Sequence, residues 1–217
     1  MQKAHHSMCS RIDNEKPRSE NQRCGRLSRQ IVATSVLALG LLCTAAGVSA
    51  AENAALWNAL RSGGHVALLR HALAPGTGDP PEFALRDCST QRNLSEEGRN
   101  QAARIGARFR ANGIHKTRVY SSQWCRCLET ARLLKLGPVE ELTVLNSFFE
   151  RYENRGPQTQ ALKEWLARQD LDAPLVLVTH QVNITALTNS SAASGEMVII
   201  RRSKSGEITV VGSIETD

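Results

Sequence analysis

The sequence has no cysteine pair at CxxC spacing with partner histidines, so no zinc-site pattern is present. It has no internal repeat, which excludes solenoid and propeller architectures. It also lacks a lasting surplus of one charge. The formal charge is +6, but seven of the 27 Lys and Arg and three of the 21 Asp and Glu precede residue 51, leaving +2 for the rest. The basic pI of about 9.2 therefore belongs largely to the N-terminal stretch, and a nucleic-acid partner is not implied. One long apolar run exists, residues 31–47, and it is a little short for a membrane-spanning helix.

That run has the character of an export signal. Arg23, Arg26 and Arg29 precede it, and Val48-Ser49-Ala50 followed by Ala51-Glu52 supplies a small-residue cleavage pattern. Residues 31–50 are predicted to be a secretory signal peptide and residues 1–30 a disordered or overcalled extension. Residues 51–217 are then one domain of ordinary size, periplasmic or secreted, with no membrane attachment after cleavage. Three cysteines remain in it. Cys125 and Cys127 flank a single residue and pair poorly with each other, so Cys88 is expected to bridge to one of them and leave the other free.

Residues 53–61 carry Ala54, Leu56, Trp57 and Leu60 at helical spacing, closed by Gly63-Gly64. Residues 66–69 read as a buried strand that ends abruptly in Arg70-His71. Residues 73–87 are dense in Pro and Gly and predict a long loop. Ser95 caps a helix whose first turn holds Glu96 and Glu97 and whose buried face is Ala102, Ala103, Ile105, Gly106 and Phe109, ending at Asn112-Gly113. A short strand is expected at 118–121, a helix at 123–136, a strand at 142–145, a loop or short helix at 148–156 and a helix at 157–169. The strand at 175–179 ends in His180, and a helix continues at 184–188. Runs 196–202 and 207–214 predict a hairpin. Trp57, Trp124 and Trp165 read as packing, and His65 and His115 as surface or satisfied core residues.

Strands alternating with helices predict an α/β single domain: a mostly parallel central sheet with helices on both faces and a C-terminal antiparallel hairpin. In a parallel sheet the carboxyl ends share one edge, where ligands collect. Arg70-His71, Ser121-Ser122 leading to Arg126, and His180 would then converge. Two guanidiniums bind phosphate oxygens in pairs, two imidazoles supply a base or nucleophile, and a helix N-terminus near Arg126 adds a favourable dipole.

These residues resemble the histidine phosphatase superfamily. Leu68-Leu69-Arg70-His71-Ala72 is similar to its Arg-His-Gly signature, and 94–102 (LSEEGRNQA) to its Leu-Thr-x-x-Gly-x-x-Gln-Ala helix opening. Residues 122–131 (SQWCRCLETA) resemble its Ser-x-x-x-Arg-Ala-x-x-Thr-Ala segment, and Val178-Thr179-His180 its second-histidine strand. The resemblance implies that His71 is the nucleophile, forming a phosphohistidine, and that Arg70, Arg126 and His180 hold the phosphoryl oxygens. It implies no metal and no cofactor. The family's Gly after the nucleophile is Ala72 here. Its general acid, a Glu after the third strand or an Asp after the second histidine, is replaced by Ser147 and Gln181. Glu150, with Glu153 nearby, is the expected acid. Arg151 and Arg155 read as a solvated charged face that could extend the anion pocket.

The expected function is hydrolysis of phosphate monoesters by an exported, metal-independent phosphatase. Its partner would be a phosphorylated small molecule or an envelope glycan. The rival expectation is a non-catalytic module binding phosphate or an anionic glycan with the same four residues.

Overall fold

A computed structural model describes residues 51–216. The leader elements predicted at 1–30 and 31–50 lie outside the described residues. The described chain is built around six strands: β1 (His65–Arg70), β2 (Arg118–Ser121), β3 (Val139–Glu141), β4 (Leu175–Thr179), β5 (Met197–Arg202) and β6 (Ile208–Ile214). Their order is β3-β2-β4-β1-β5-β6. The first four run parallel, while β5 lies antiparallel to β1 and β6 antiparallel to β5, so the hairpin forms one edge.

Five helices cover the sheet: α1 through residues 51–61, α2 (Glu96–Ala111), α3 (Cys125–Leu134), α4 (Arg155–Ala167) and α5 (Gln181–Thr188). The strands decide which face each covers, because successive side chains of a strand point to opposite sides. Ala67 and Leu69 of β1 with Val176 and Val178 of β4 meet Leu56, Trp57 and Leu60 of α1, Ile105 and Phe109 of α2 and Leu134 of α3. Val66, Leu68, Leu175 and Leu177 point the other way and meet Leu162 and Leu166 of α4 and Ile184 of α5. Apolar residues are thus needed throughout Val66–Leu69 of β1 and Leu175–Val178 of β4, and each fully buried Leu or Val contributes roughly 1.5–3 kcal/mol. Trp57 packs edge-on against Phe109, ring centroids 5.0 Å apart.

Two glycines of α2 act through close approach. A Cβ at Gly98, in the first turn of α2, would lie 2.0 Å from the Leu73 carbonyl oxygen, and one at Gly106 would lie 2.1 Å from that of Leu134. The Ser95 hydroxyl accepts from the Gly98 N–H at 3.0 Å, the cap expected there. Gly98 therefore lets the capped end of α2 sit directly on the chain leaving β1.

Several elements differ from expectation. Residues 142–145 are not a strand. β2 takes its parallel partner three residues earlier, at Val139–Glu141, and the chain then turns through a single 3₁₀ turn, Thr143–Leu145, that drops Leu145 into the core. Ala103 is exposed, because the buried stripe of α2 passes through Gln101, Ala102, Ile105, Gly106 and Phe109. Helix α3 begins and ends two residues inside the expected 123–136 and is closed by Lys135 in the left-handed region. Helix α4 begins at Arg155, which places Pro157 in its first turn, where a missing N–H is tolerated. Helix α5 begins at Gln181, directly after His180. No helix among the described residues is long and apolar enough to cross a membrane.

Candidate active site

The register of the sheet brings the polar strand ends level. Arg70 pairs with Thr179 across β1 and β4, and Ser121 pairs with Val178 across β2 and β4. Arg70, His71, Arg126, His180 and Glu150, the five residues singled out in the sequence, all line one cavity of about 630 Å³ at that edge. The first turns of α3 and α5 border it as well, so the positive ends of two helices face the same space. His71 and His180 lie edge to face, ring centroids 5.5 Å apart.

His71 is buried, with Nδ1 2.8 Å from the carbonyl oxygen of Ala72. A carbonyl can only accept, so Nδ1 carries the proton and the lone pair is on Nε2. Burial, then the charge of Arg126, with Arg92 and Arg70 adding to it, push the His71 pKa down to about 3. The ring is neutral and nucleophilic at any ordinary pH. Ala72 is compatible with this seat: the only non-glycine residues with positive φ among those described are Lys135 and Asn189. Its N–H donates to Thr130 Oγ1 at 3.0 Å, and the Thr130 hydroxyl donates to the Arg126 carbonyl at 2.7 Å. Thr130, in the Thr-Ala of the α3 motif, thereby ties the nucleophile's neighbour to the helix that carries Arg126.

His180 is buried too, with Ser122 Oγ 2.9 Å and Cys127 Sγ 3.4 Å from Nε2. Burial, His71 and the guanidiniums of Arg126, Arg92 and Arg70 hold it neutral, its pKa well below the usual range. Burial also pushes the Cys127 thiol up to about 12, so this free cysteine is no rival nucleophile.

Each of the two guanidiniums is held by the protein through its terminal nitrogens and not through Nε. Arg70 Nη1 donates to the Ala192 carbonyl at 2.8 Å, and Arg126 donates through Nη1 and Nη2 to Asp79 at 2.7 and 3.1 Å. In both residues the buried Nε–H has no acceptor in the protein. An unpaired buried donor on a cation is costly, and two beside one cavity call for an anion with several oxygens.

Three further residues line the pocket that the sequence did not assign to the site. Asp79 comes from the loop after β1. Arg92 donates through Nε to Gly78 O at 2.8 Å and through Nη1 to Ala74 O, clamping that loop while leaving its charge at the cavity. Trp124, expected only to pack, stacks on Phe83 with centroids 5.0 Å apart, stands edge-on to His180 and donates its indole N–H to Asp79 at 3.0 Å. A wall built by a loop folding back has no period in the chain, so no pattern marks these three. Trp165 does pack, edge-on against Tyr120. His115 is exposed, and His65 Nδ1 bonds its own loop at Gly63 O, 2.6 Å away.

At the family's two acid positions, Ser147 accepts from the Phe149 N–H at 3.2 Å. Gln181 spends its amide on Ala192 N–H and Thr185 Oγ1, both at 2.9 Å. Glu150 is exposed at the mouth of the cavity, its Oε1 3.4 Å from the Asp79 nitrogen, whereas Glu153 does not line it. Arg151 lines the cavity and Arg155 does not. Cys88 is bonded to Cys125, one of the two pairings left open in the sequence, and the bridge staples the segment after the loop to the start of α3. Among the described residues no group of three or more His, Cys, Asp or Glu is placed to hold a metal.

A family model for the histidine phosphatase superfamily (branch 1) matches residues 66–155. A comparison with curated proteins finds no match. Among solved structures, the chain is similar to the protein histidine phosphatase SixA complexed with tungstate (TM-score 0.52, 16% identity, 70% of this chain and 97% of that one). It is similar to a phosphoserine phosphatase from Entamoeba histolytica in complex with 3-phosphoglyceric acid (0.52, 13%, 70% and 98%). It is also similar to a mycobacterial glucosyl-3-phosphoglycerate phosphatase (0.51, 16%, 69% and 98%). At these identities the likeness is one of fold.

Proposed function

We propose that this chain, which belongs to the histidine phosphatase superfamily, hydrolyses phosphate monoesters through a phosphohistidine at His71. The observation that carries the reading is one juxtaposition. A neutral His71 with its lone pair on Nε2 shares a cavity with two guanidiniums whose buried Nε–H groups lack acceptors.

In this reading Arg70 and Arg126 take phosphoryl oxygens through those Nε–H edges and neutralise charge in the in-line transition state. The Nε2 lone pair of His71 forms the new bond to phosphorus as the ester P–O bond breaks. The leaving oxygen takes a proton from Glu150, which is then a carboxylate. A dianion beside His180 raises its proton affinity, so this imidazole can donate to a phosphoryl oxygen. Water next attacks phosphorus, Glu150 accepts its proton, the N–P bond breaks and inorganic phosphate departs. No step needs a metal ion.

The cavity is far larger than a phosphoryl group, and Phe83, Trp124 and the half-exposed Phe149 line it beside Arg151. That wall suits a substrate whose leaving group presents a flat or ring face, a phosphorylated small molecule or a phosphorylated sugar of an envelope glycan. The resemblance to phosphatases acting on phosphoserine and on a glucosyl phosphoglycerate supports this class. The Cys88–Cys125 bridge and the signal pattern at 31–50 support work outside the cytoplasm, in the periplasm or beyond.

One observation favours a second reading, binding of phosphate or an anionic glycan without turnover: Ser147 and Gln181 stand where the family's acids would be. Incubating the protein with a labelled phosphate ester and quenching in alkali separates the two. An acid-labile, alkali-stable label that is lost in His71→Ala is expected. Tight phosphate binding with no label and no released phosphate would establish the second reading instead.

A further inference from the structure

The structure assigns Asp79 a role in that site: we propose that it is the positioning residue for Arg126, gripping the terminal nitrogens so that the Nε–H edge is what remains for the phosphoryl group. The inference rests on the phosphate-site reading. Asp79 lies in the long loop after β1, 47 residues from Arg126, and its side chain is 11% exposed against 3% for Arg126. Its Oδ1 accepts from Arg126 Nη1 at 2.7 Å and from the Arg92 N–H at 3.1 Å. Its Oδ2 accepts from Arg126 Nη2 at 3.1 Å and from the Trp124 indole at 3.0 Å. The Arg92 carbonyl takes a further bond from Nη1 at 3.2 Å, closing a ring around the guanidinium.

Three features make this a positioning device. Each carboxylate oxygen already accepts two hydrogen bonds, so Asp79 acts on Arg126 and not on substrate. Two of its four donors, the Arg92 N–H and the Trp124 indole, are independent of Arg126, so the carboxylate keeps its seat when an anion arrives. A planar guanidinium held by its two terminal nitrogens cannot rotate, which aims Nε–H in one direction. The charge is matched as well. Arg70, Arg92, Arg126 and Arg151 line the cavity with two carboxylates, Asp79 and Glu150, and two neutral imidazoles, leaving the surplus of two that a phosphate dianion cancels.

Calorimetry with inorganic phosphate, alongside turnover of p-nitrophenyl phosphate, tests the assignment. Asp79→Asn keeps the shape but sets an amide donor against a guanidinium donor. Phosphate affinity is expected to fall about tenfold, with turnover falling at least as far. If Asp79 merely occupied the anion's seat, its removal would add positive charge and tighten binding; unchanged or tighter binding overturns the proposal. In an Arg126→Ala background the same substitution is expected to change affinity less than twofold, whereas an equal loss in both backgrounds marks a loop-holding role and also overturns it. Trp124→Phe keeps the stacked ring and removes a single donor. It is expected to weaken phosphate two- to threefold only when Arg126 is present, and this variant decides the matter should Asp79→Asn fail to fold. Wild-type protein that binds phosphate but releases none from the ester refutes the hydrolase reading and leaves Asp79 to be judged by binding. Wild type that binds no phosphate overturns both.

Discussion

The candidate active site joins two regions that are built in different ways. One is the carboxyl edge of β1, β2 and β4, where main-chain register sets the half-buried Arg70 and the buried His71 and His180. The other is the wall formed by the loop after β1 and the segment 147–151. It is held by a clamp of Arg92 onto Gly78 and Ala74, by Asp79 on Arg126 and Trp124, and by a disulfide. The edge is held by the sheet that also carries the core, so it cannot shift without unfolding the domain. The wall is held by a few polar contacts, and its outermost members, Phe149 and Glu150, are exposed. In the proposed reading the difference assigns work: the edge binds and attacks phosphorus, and the wall aims, admits and protonates.

Changes at the edge are expected to be the most severe. His71→Ala should reduce ester hydrolysis at least about 10³-fold and abolish the phosphoenzyme label, since in the proposed reading His71 Nε2 forms the bond to phosphorus. A labelled His71→Ala protein would break the comparison outright. Arg126→Ala, which joins edge and wall, should cost about 10²- to 10³-fold in kcat/KM, measured with p-nitrophenyl phosphate.

Changes in the wall should be graded. Glu150→Gln is expected to slow an alkyl phosphate about a hundredfold and p-nitrophenyl phosphate less than about threefold, because nitrophenolate leaves without a proton. Equal slowing of both esters would remove Glu150 from the acid's role. Cys88→Ser opens a bridge spanning 37 residues of sequence and should cost about 3–4 kcal/mol, a fall in Tm of roughly 10 °C by calorimetry. His71 should still be labelled in that variant, because its strand does not depend on the bridge.

The mildest probe is pH. A histidine in the unfolded chain takes up its proton near pH 6.5, whereas folded His71 does so at about 3. Between those values the unfolded state binds more protons, so stability should fall as pH drops from about 6.5 to about 3 and stay flat above. Denaturant titrations at pH 8, 6 and 4 check this. His71→Ala should shrink the slope, and a slope unchanged by that variant would place the neutral histidine elsewhere.

Much of the edge could be read from the chain, because strand physics is local. Val66-Ala67-Leu68-Leu69 and Leu175-Val176-Leu177-Val178 are apolar at every position, as a strand covered on both faces must be, so the polar residue that follows each is conspicuous. Ser95 and Gly98 announce the start of α2 by capping and by close approach. The strand expected at 142–145 misled because Leu142, Val144 and Leu145 are apolar whether they pair in a sheet or turn into a core. Only the competing pairing of β2 with Val139–Glu141 selects the turn.

The sequence by itself determined the fold class, the four residues that meet at the sheet edge and the cysteine left unpaired within a short list. It could do so because alternation, caps and strand ends are properties of neighbours in the chain. The tertiary structure alone decided the choice of Cys125 for the bridge, the proton on His71 Nδ1, and the grip of Asp79 on Arg126. A hydrogen bond across 47 residues leaves no period behind it, and the burial that keeps two histidines neutral exists only once the sheet has closed around them.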